Sequence, residues 1–123
     1  MILGVGIDIT DSARIKNMRL SENFIKKHFT EDEQKLINER KEYFYVTAAN
    51  NFSVKEAFSK ALGTGVRGFS LNEVEVLRND LGKPYINLYG KAKEILDKMN
   101  GKNIFVSISD TDSSSAAVVI IEG

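Results

Sequence analysis

The chain has 123 residues, with 17 Lys plus Arg balanced by 17 Asp plus Glu, one histidine and no cysteine. This length suits one domain over residues 1–123, and a 42% apolar, 28% charged composition with a single proline excludes a disordered or low-complexity chain. Zero net charge gives no global field for nucleic acid or membrane; the lack of cysteine removes disulfides, thiolate nucleophiles and cysteine zinc sites and suits a cytoplasmic protein, and no apolar run reaches the ~20 residues of a membrane span.

Residues 2–9, "ILGVGIDI", alternate as a strand, with Leu3, Val5, Ile7 and Ile9 on one face and Ile2, Gly4, Gly6 and Asp8 on the other. Two glycines on one face predict the close approach of another backbone, with Asp8 at its rim. The start lacks a signal peptide's basic residues. Asp11 or Ser12 can cap a short helix to about Leu20, and Ser21 or Glu22 begins another that ends at His28. Across these helices Arg14, Lys16, Arg19, Lys26 and Lys27 meet a single acid, Glu22. Such a cluster is either a solvated helical face or a surface for an acidic partner. Thr30 with Glu33 three residues on is a capping box, which starts a helix from Glu31 to about Lys41.

Tyr43 to Leu62 contains no proline or glycine and predicts a central helix of about five turns. Val54, Ala57, Phe58 and Ala61 share one side; Ala49, Phe52, Glu56, Ser59 and Lys60 share the other. Apolar groups on both sides place this helix in the middle of the fold, with Glu56 and Lys60 in buried or cleft positions. Gly63 ends it. "EVEVL" and "PYINLYG" form a hairpin around "RNDLGK", and "GKAKEILDKMNG" forms a helix with Ile95, Leu96 and Met99 inward. "NIFVSIS" and "AAVVIIE" form a second hairpin, and the last strand, apolar on both faces, is internal to its sheet. The order predicts an α+β fold, with a small, mostly antiparallel sheet packed on the long central helix.

Three constellations carry possible chemistry. Asp8 with Glu56 would offer a hard cation such as Mg²⁺ two carboxylates, while the bland alternative for Glu56 is an i,i+4 salt bridge to Lys60 and for Asp8 a strand-end cap. Lys55 and Lys60 with Gly63, Thr64 and Gly65 could receive a phosphate, although the segment follows a helix and lacks the P-loop order, so the helix dipole opposes an anion there. Asp110-x-Asp112 after an apolar strand resembles the opening of the haloacid dehalogenase motif, but only "AAVVIIEG" follows where that fold needs a large α/β body. The one histidine, His28, stands apart from all three, so a carboxylate or a metal-activated water is the expected base.

Four blocks in order, "GIDITDSARI" (6–15), "FSVKEAFSKALGTG" (52–65), "NDLGKPYI" (79–86) and "VSISDTDSSSAAVVI" (106–120), resemble the bacterial holo-acyl-carrier-protein synthases, the short single-domain type of 4′-phosphopantetheinyl transferase. The resemblance implies the fold of that family and transfer of phosphopantetheine from coenzyme A to a serine of an acidic apo acyl carrier protein. It also implies Mg²⁺ and a homotrimer with active sites between subunits. On this pattern Asp8 and Glu56 are metal ligands and catalytic, and Lys60 joins them at the coenzyme phosphates. Lys55, Gly63, Thr64, Gly65, Lys83, Pro84, Ser109 and Asp110 line the coenzyme, while Arg14 begins the surface that docks the carrier, to which Arg19 and Lys26 are expected to contribute as part of the same basic face. Two positions depart from the pattern: Asn51 stands where the family usually has arginine, and Asp110 where it usually has histidine. Both changes weaken anion binding, and they motivate a rival reading in which the chain docks carrier protein without turnover.

Overall fold

The structure is a computed structural model that describes residues 1–17 and 22–123. In chain order the elements are β1 (Ile2–Asp11), α1 (Ser12–Asn17), α2 (Glu22–His28), α3 (Glu31–Asn38), a 3-10 turn (Lys41–Tyr43), α4 (Phe44–Leu62), a second 3-10 turn (Leu71–Glu73), β2 (Val74–Arg78), β3 (Pro84–Leu88), α5 (Gly90–Lys98), β4 (Asn103–Asp110) and β5 (Ser114–Glu122). The α+β expectation holds, with the strands divided between two antiparallel sheets. One has the order β1-β5-β4, so the doubly apolar last strand is indeed internal, and the other is the β2-β3 hairpin.

Local sequence explains the boundaries. Thr30 Oγ1 accepts from the Glu33 amide while Glu33 Oε1 accepts from the Thr30 amide, completing the capping box that starts α3. This helix stops at Asn38 rather than Lys41, because the chain passes through a positive φ of 51° at Lys41 before α4 begins. Helix α4 closes on Gly63, which takes the left-handed conformation at φ 82°. No helix among the described residues is long and apolar enough to cross a membrane.

Helix α4 lies against the three-stranded sheet on one side and β2 on the other. Val54, Ala57, Phe58, Val74, Val76, Leu96, Val119 and Ile121 are buried in the core between them. A second cluster, with Ile15, Phe29, Ile37, Ala48 and Ala49 buried, joins the first three helices to the front half of α4.

The two glycines of β1 set the distance between strand and helix. A Cβ on Gly4 would stand 1.9 Å from the Ala61 carbonyl oxygen, and one on Gly6 would stand 1.8 Å from that of Ala57. Backbone therefore packs on backbone, as the bare strand face predicted. The opposite face of β1 is apolar and open, with Val5, Ile7 and Ile9 exposed to 56%, 63% and 74%.

Gly6→Ala is expected to destabilise the fold by more than about 3 kcal/mol, since the contacting atom is helix backbone that cannot swing aside. Urea unfolding followed by circular dichroism will measure it; a loss below about 1 kcal/mol would contradict the contact.

Candidate active site

The glycine face of β1 continues into Asp8 and Thr10, so the backbone contact sets Asp8 beside the turn of α4 that carries Glu56 and Lys60. Lys60 Nζ lies 3.2 Å from Asp8 Oδ1 and donates to the Ile7 carbonyl at 2.9 Å. Among the described residues, the i,i+4 ion pair between Glu56 and Lys60 does not form, and the lysine reaches across to the strand instead. Glu56 is half-buried; burial first and the Asp8 charge second raise its pKa above the usual carboxylate value, with Lys60 opposing. Asp8 Oδ2 accepts from Thr10 Oγ1 at 3.0 Å, and Thr10 Oγ1 accepts from buried Ser53 Oγ at 2.6 Å.

Two carboxylates held close enough to raise a proton affinity fit a hard divalent cation, which would relieve the repulsion that burial sharpens. Among the described residues no third His, Cys, Asp or Glu joins them. Any such ion would keep its remaining positions for water or substrate oxygens.

Nothing lies within 4 Å of where a Cβ on Gly63 or Gly65 would stand, so a ligand can approach this segment closely. Their amides are engaged, however, since Gly63 N–H donates to the Lys60 carbonyl at 3.0 Å and Gly65 N–H to that of Ser59 at 3.2 Å. An anion here meets the Lys60 side chain rather than those two amides.

Lys55 contradicts the expectation of a coenzyme contact. It is fully buried, and its ammonium donates to Glu33 Oε1 at 2.8 Å, to the Leu71 carbonyl at 2.9 Å and to the Val74 carbonyl at 2.5 Å. All three protons are satisfied inside the protein. Burial lowers the Lys55 pKa and raises that of Glu33, each against the pull of the other. The network runs on through Asn51, which is buried, donates to Glu33 Oε2 at 3.0 Å and accepts from Arg78 Nη2 at 2.8 Å. Arg78 and Arg40 line a cavity of about 250 Å³ with Asn50 and Gly82. Sequence reasoning missed Glu33, read only as a cap, and Arg78, read only as the edge of a turn. Its one available signal was the "VKE" order, which puts Lys55 and Glu56 on different sides of a helix.

The remaining coenzyme-side residues lie elsewhere. Lys83 is exposed at the β2-β3 turn, where Asn79 Oδ1 accepts from its amide at 2.9 Å, and Pro84 begins β3. Ser109 is exposed, and Asp110 Oδ2 accepts from Asn50 Nδ2 at 2.9 Å and pairs with no cation among the described residues. Asp8 and Ile108 both register with Ala117, so Asp8 and the end of β4 stand on opposite edges of the sheet, roughly 10 Å apart across two strand spacings.

Arg14 on α1 and Lys26 on α2 are exposed, whereas Arg19 lies outside the described residues. Arg14 also borders a small apolar pocket with Thr10, Ile15, Phe24 and Phe52, which links the basic helices to the strand end that bears Asp8. His28 packs edge-on against Phe24, and burial, then Lys27 and Lys55, lower its pKa.

The sequence profile of the 4′-phosphopantetheinyl transferase superfamily matches residues 4–119. A holo-[acyl-carrier-protein] synthase of Clostridium botulinum is 45% identical, over 99% of this chain and 98% of that protein. The crystal structure of holo-[acyl-carrier-protein] synthase from Neisseria meningitidis superposes with a TM-score of 0.88 at 29% identity, covering 100% of both chains. That of the Helicobacter pylori synthase in complex with coenzyme A gives 0.82 at 30% identity, over 96% of this chain and 99% of that one.

Lys55→Met should cost about 3–5 kcal/mol, because it strands the buried Glu33 carboxylate, and Glu33→Leu in the same chain should recover much of that loss. Denaturant midpoints of the single and double variants will decide it. A single variant as stable as the parent would remove the structural role.

Proposed function

The chain belongs to the 4′-phosphopantetheinyl transferase superfamily and, within it, to the holo-[acyl-carrier-protein] synthases, and on that premise we propose that it transfers 4′-phosphopantetheine from coenzyme A to a serine of apo acyl carrier protein. The observation that carries this reading is the meeting of Asp8, Glu56 and Lys60 at the contact of β1 with α4. In the reaction the serine oxygen bonds to the phosphorus that bears pantetheine, the bond to the other phosphate breaks, and adenosine 3′,5′-bisphosphate leaves. The serine proton passes to a carboxylate or to water beside it. Lys60, half-exposed and anchored on Asp8, presents its charge where the departing phosphate gains negative charge.

Asp8 and Glu56 would hold Mg²⁺. Bound there, the ion would neutralise the pyrophosphate and polarise the phosphorus. No step requires a covalent enzyme intermediate, in keeping with a chain that has no cysteine and a single histidine packed on Phe24. Arg14 and Lys26 form a positive face for an acidic carrier, and Arg14 stands at the pocket that ends on Thr10, two residues from Asp8. A carrier docked on α1 and α2 would thus deliver its serine toward the two carboxylates.

A homotrimer with sites between subunits is part of the same reading. Val5, Ile7 and Ile9 of β1 and Phe105 of β4 leave the outward face of the sheet apolar, and such a patch calls for a partner surface. Ser109 and Asp110 lie on the sheet edge opposite Asp8, so a single ligand would meet both sets most directly across a subunit boundary.

Incubation of the protein with apo carrier, coenzyme A and Mg²⁺ should add one phosphopantetheine to the carrier in intact-mass spectra. An unmodified carrier would leave the binding-module alternative standing. Glu56→Gln should remain folded and lose at least about 100-fold in rate, on the scale of losing one electrostatic group in a site; retained activity rejects its assignment. Ile7→Asp should convert the trimer to monomer by light scattering. A trimeric variant would place the interface elsewhere.

A further inference from the structure

We propose that Thr10 and Ser53 form a two-hydroxyl relay that orients the Asp8 carboxylate for a divalent cation, with Thr10 as the positioning residue. The inference rests on the reading of Asp8 as a metal ligand and adds what fixes that ligand in place.

Asp8 receives a different donor on each oxygen. Oδ1 is met by Lys60, a long side chain 53% exposed, which gives charge but little directional constraint. Oδ2 is met by Thr10 Oγ1 at 3.0 Å, from a residue that is itself buried. A threonine hydroxyl has one proton, so its orientation decides whether it supports a carboxylate. Ser53 settles that orientation. Its side chain is sealed between α4 and the sheet, where it donates to Thr10 Oγ1 at 2.6 Å, with the Ser115 carbonyl a longer alternative at 3.4 Å. Because Thr10 accepts the serine proton, its own proton is directed to Asp8. A β-branched side chain also has few χ1 options, which makes Thr10 a stiffer donor than Lys60.

The Thr10 hydroxyl takes Oδ2 alone and leaves Oδ1 to the mobile charge of Lys60, which a cation could displace. Thr10 and Asp8 lie two residues apart on one strand face, so the hydroxyl holds Oδ2 from along the strand. Outer hydrogen bonds of this kind fix the orientation of metal-ligating groups, and their loss commonly weakens metal affinity by roughly 10–100-fold.

The test uses the full chain, with Mn²⁺ as the probe and its free concentration read by electron paramagnetic resonance, together with the Mg²⁺ activation constant of the transfer reaction. Thr10→Val keeps the shape and removes the hydroxyl; it should weaken Mn²⁺ binding about 10-fold or more and raise the Mg²⁺ activation constant in parallel. The KM for coenzyme A at saturating Mg²⁺ should change much less. Thr10→Ser restores the hydroxyl and should return Mn²⁺ affinity to within about 3-fold of the parent, while Ser53→Ala should fall between the two variants. Melting curves accompany each, and if Thr10→Val fails to fold, the comparison of Ser53→Ala with the parent decides. Parental affinity in folded Thr10→Val, or a loss in Thr10→Ser as large as in Thr10→Val, overturns the relay. If Asp8→Asn also binds Mn²⁺ like the parent, the metal assignment falls with it; if Asp8→Asn alone loses the ion, only the relay is rejected.

Discussion

The backbone contact between β1 and α4 governs the rest of the structure. Gly4 and Gly6 let the strand reach the carbonyl oxygens of Ala61 and Ala57, closer than any residue with a Cβ permits. Two consequences follow from the pleat of the strand. Residues on the glycine face are drawn onto the helix, so Asp8 and Thr10 meet Lys60 and Ser53. Residues of the opposite face, Val5, Ile7 and Ile9, are left outside the protomer. A cluster of polar side chains on one face and an exposed apolar surface on the other are thus two outcomes of the same packing.

The second constraint is electrostatic. The chain places an ammonium and a carboxylate in its dry interior, where neither would persist unpaired. Lys55 persists because Glu33 and the carbonyls of Leu71 and Val74 together complete its hydrogen bonds. Those acceptors come from α3, the second 3-10 turn and the start of β2, so the lysine braces three segments at once. Glu75 extends the bracing. Burial would raise its pKa, but hydrogen bonds from Thr30, Asn87 and Tyr89 outweigh that and hold it below the usual value.

The architecture was largely legible in the sequence, because alternation, a capping box and a glycine stop are local signals with local causes. The strand face of Gly4, Gly6 and Asp8 announced a close neighbour, and the absence of proline or glycine from residues 43–62 announced the long helix. Side-chain partnership was less legible. Glu56 and Lys60 are spaced for an ion pair on one helix, yet Lys60 finds Asp8 fifty-two positions away, a choice made by tertiary packing. Lys55 misled for a related reason: a lysine in a glycine-ended motif looks like a ligand for phosphate. Whether it faces solvent or core depends on the acid across the fold, and Glu33 was already explained by its role as a cap. The apolar face of β1 was visible as a pattern, but no periodicity says whether it meets the interior or another molecule.

Position 51, where the resemblance leads one to expect arginine, is built into the buried network as asparagine. In this packing the side chain of Asn51 is fully enclosed, with its amide nitrogen on Glu33 and the Val76 carbonyl and its oxygen facing outward to Arg78. A guanidinium on the helix here would have to fit among groups already at contact distance. Arg78 reaches over from β2, is anchored by the Asn51 oxygen, and lines a cavity with Arg40 and Glu39. Burial, then the neighbouring Arg40 charge, lower the Arg78 pKa while Glu33 opposes them. Arg78 of the adjoining strand thus brings a positive charge to the side of α4 that carries Asn51. Asp110 adds a negative charge on the far edge of the sheet, but it is exposed and held by the Asn50 amide, where water screens it.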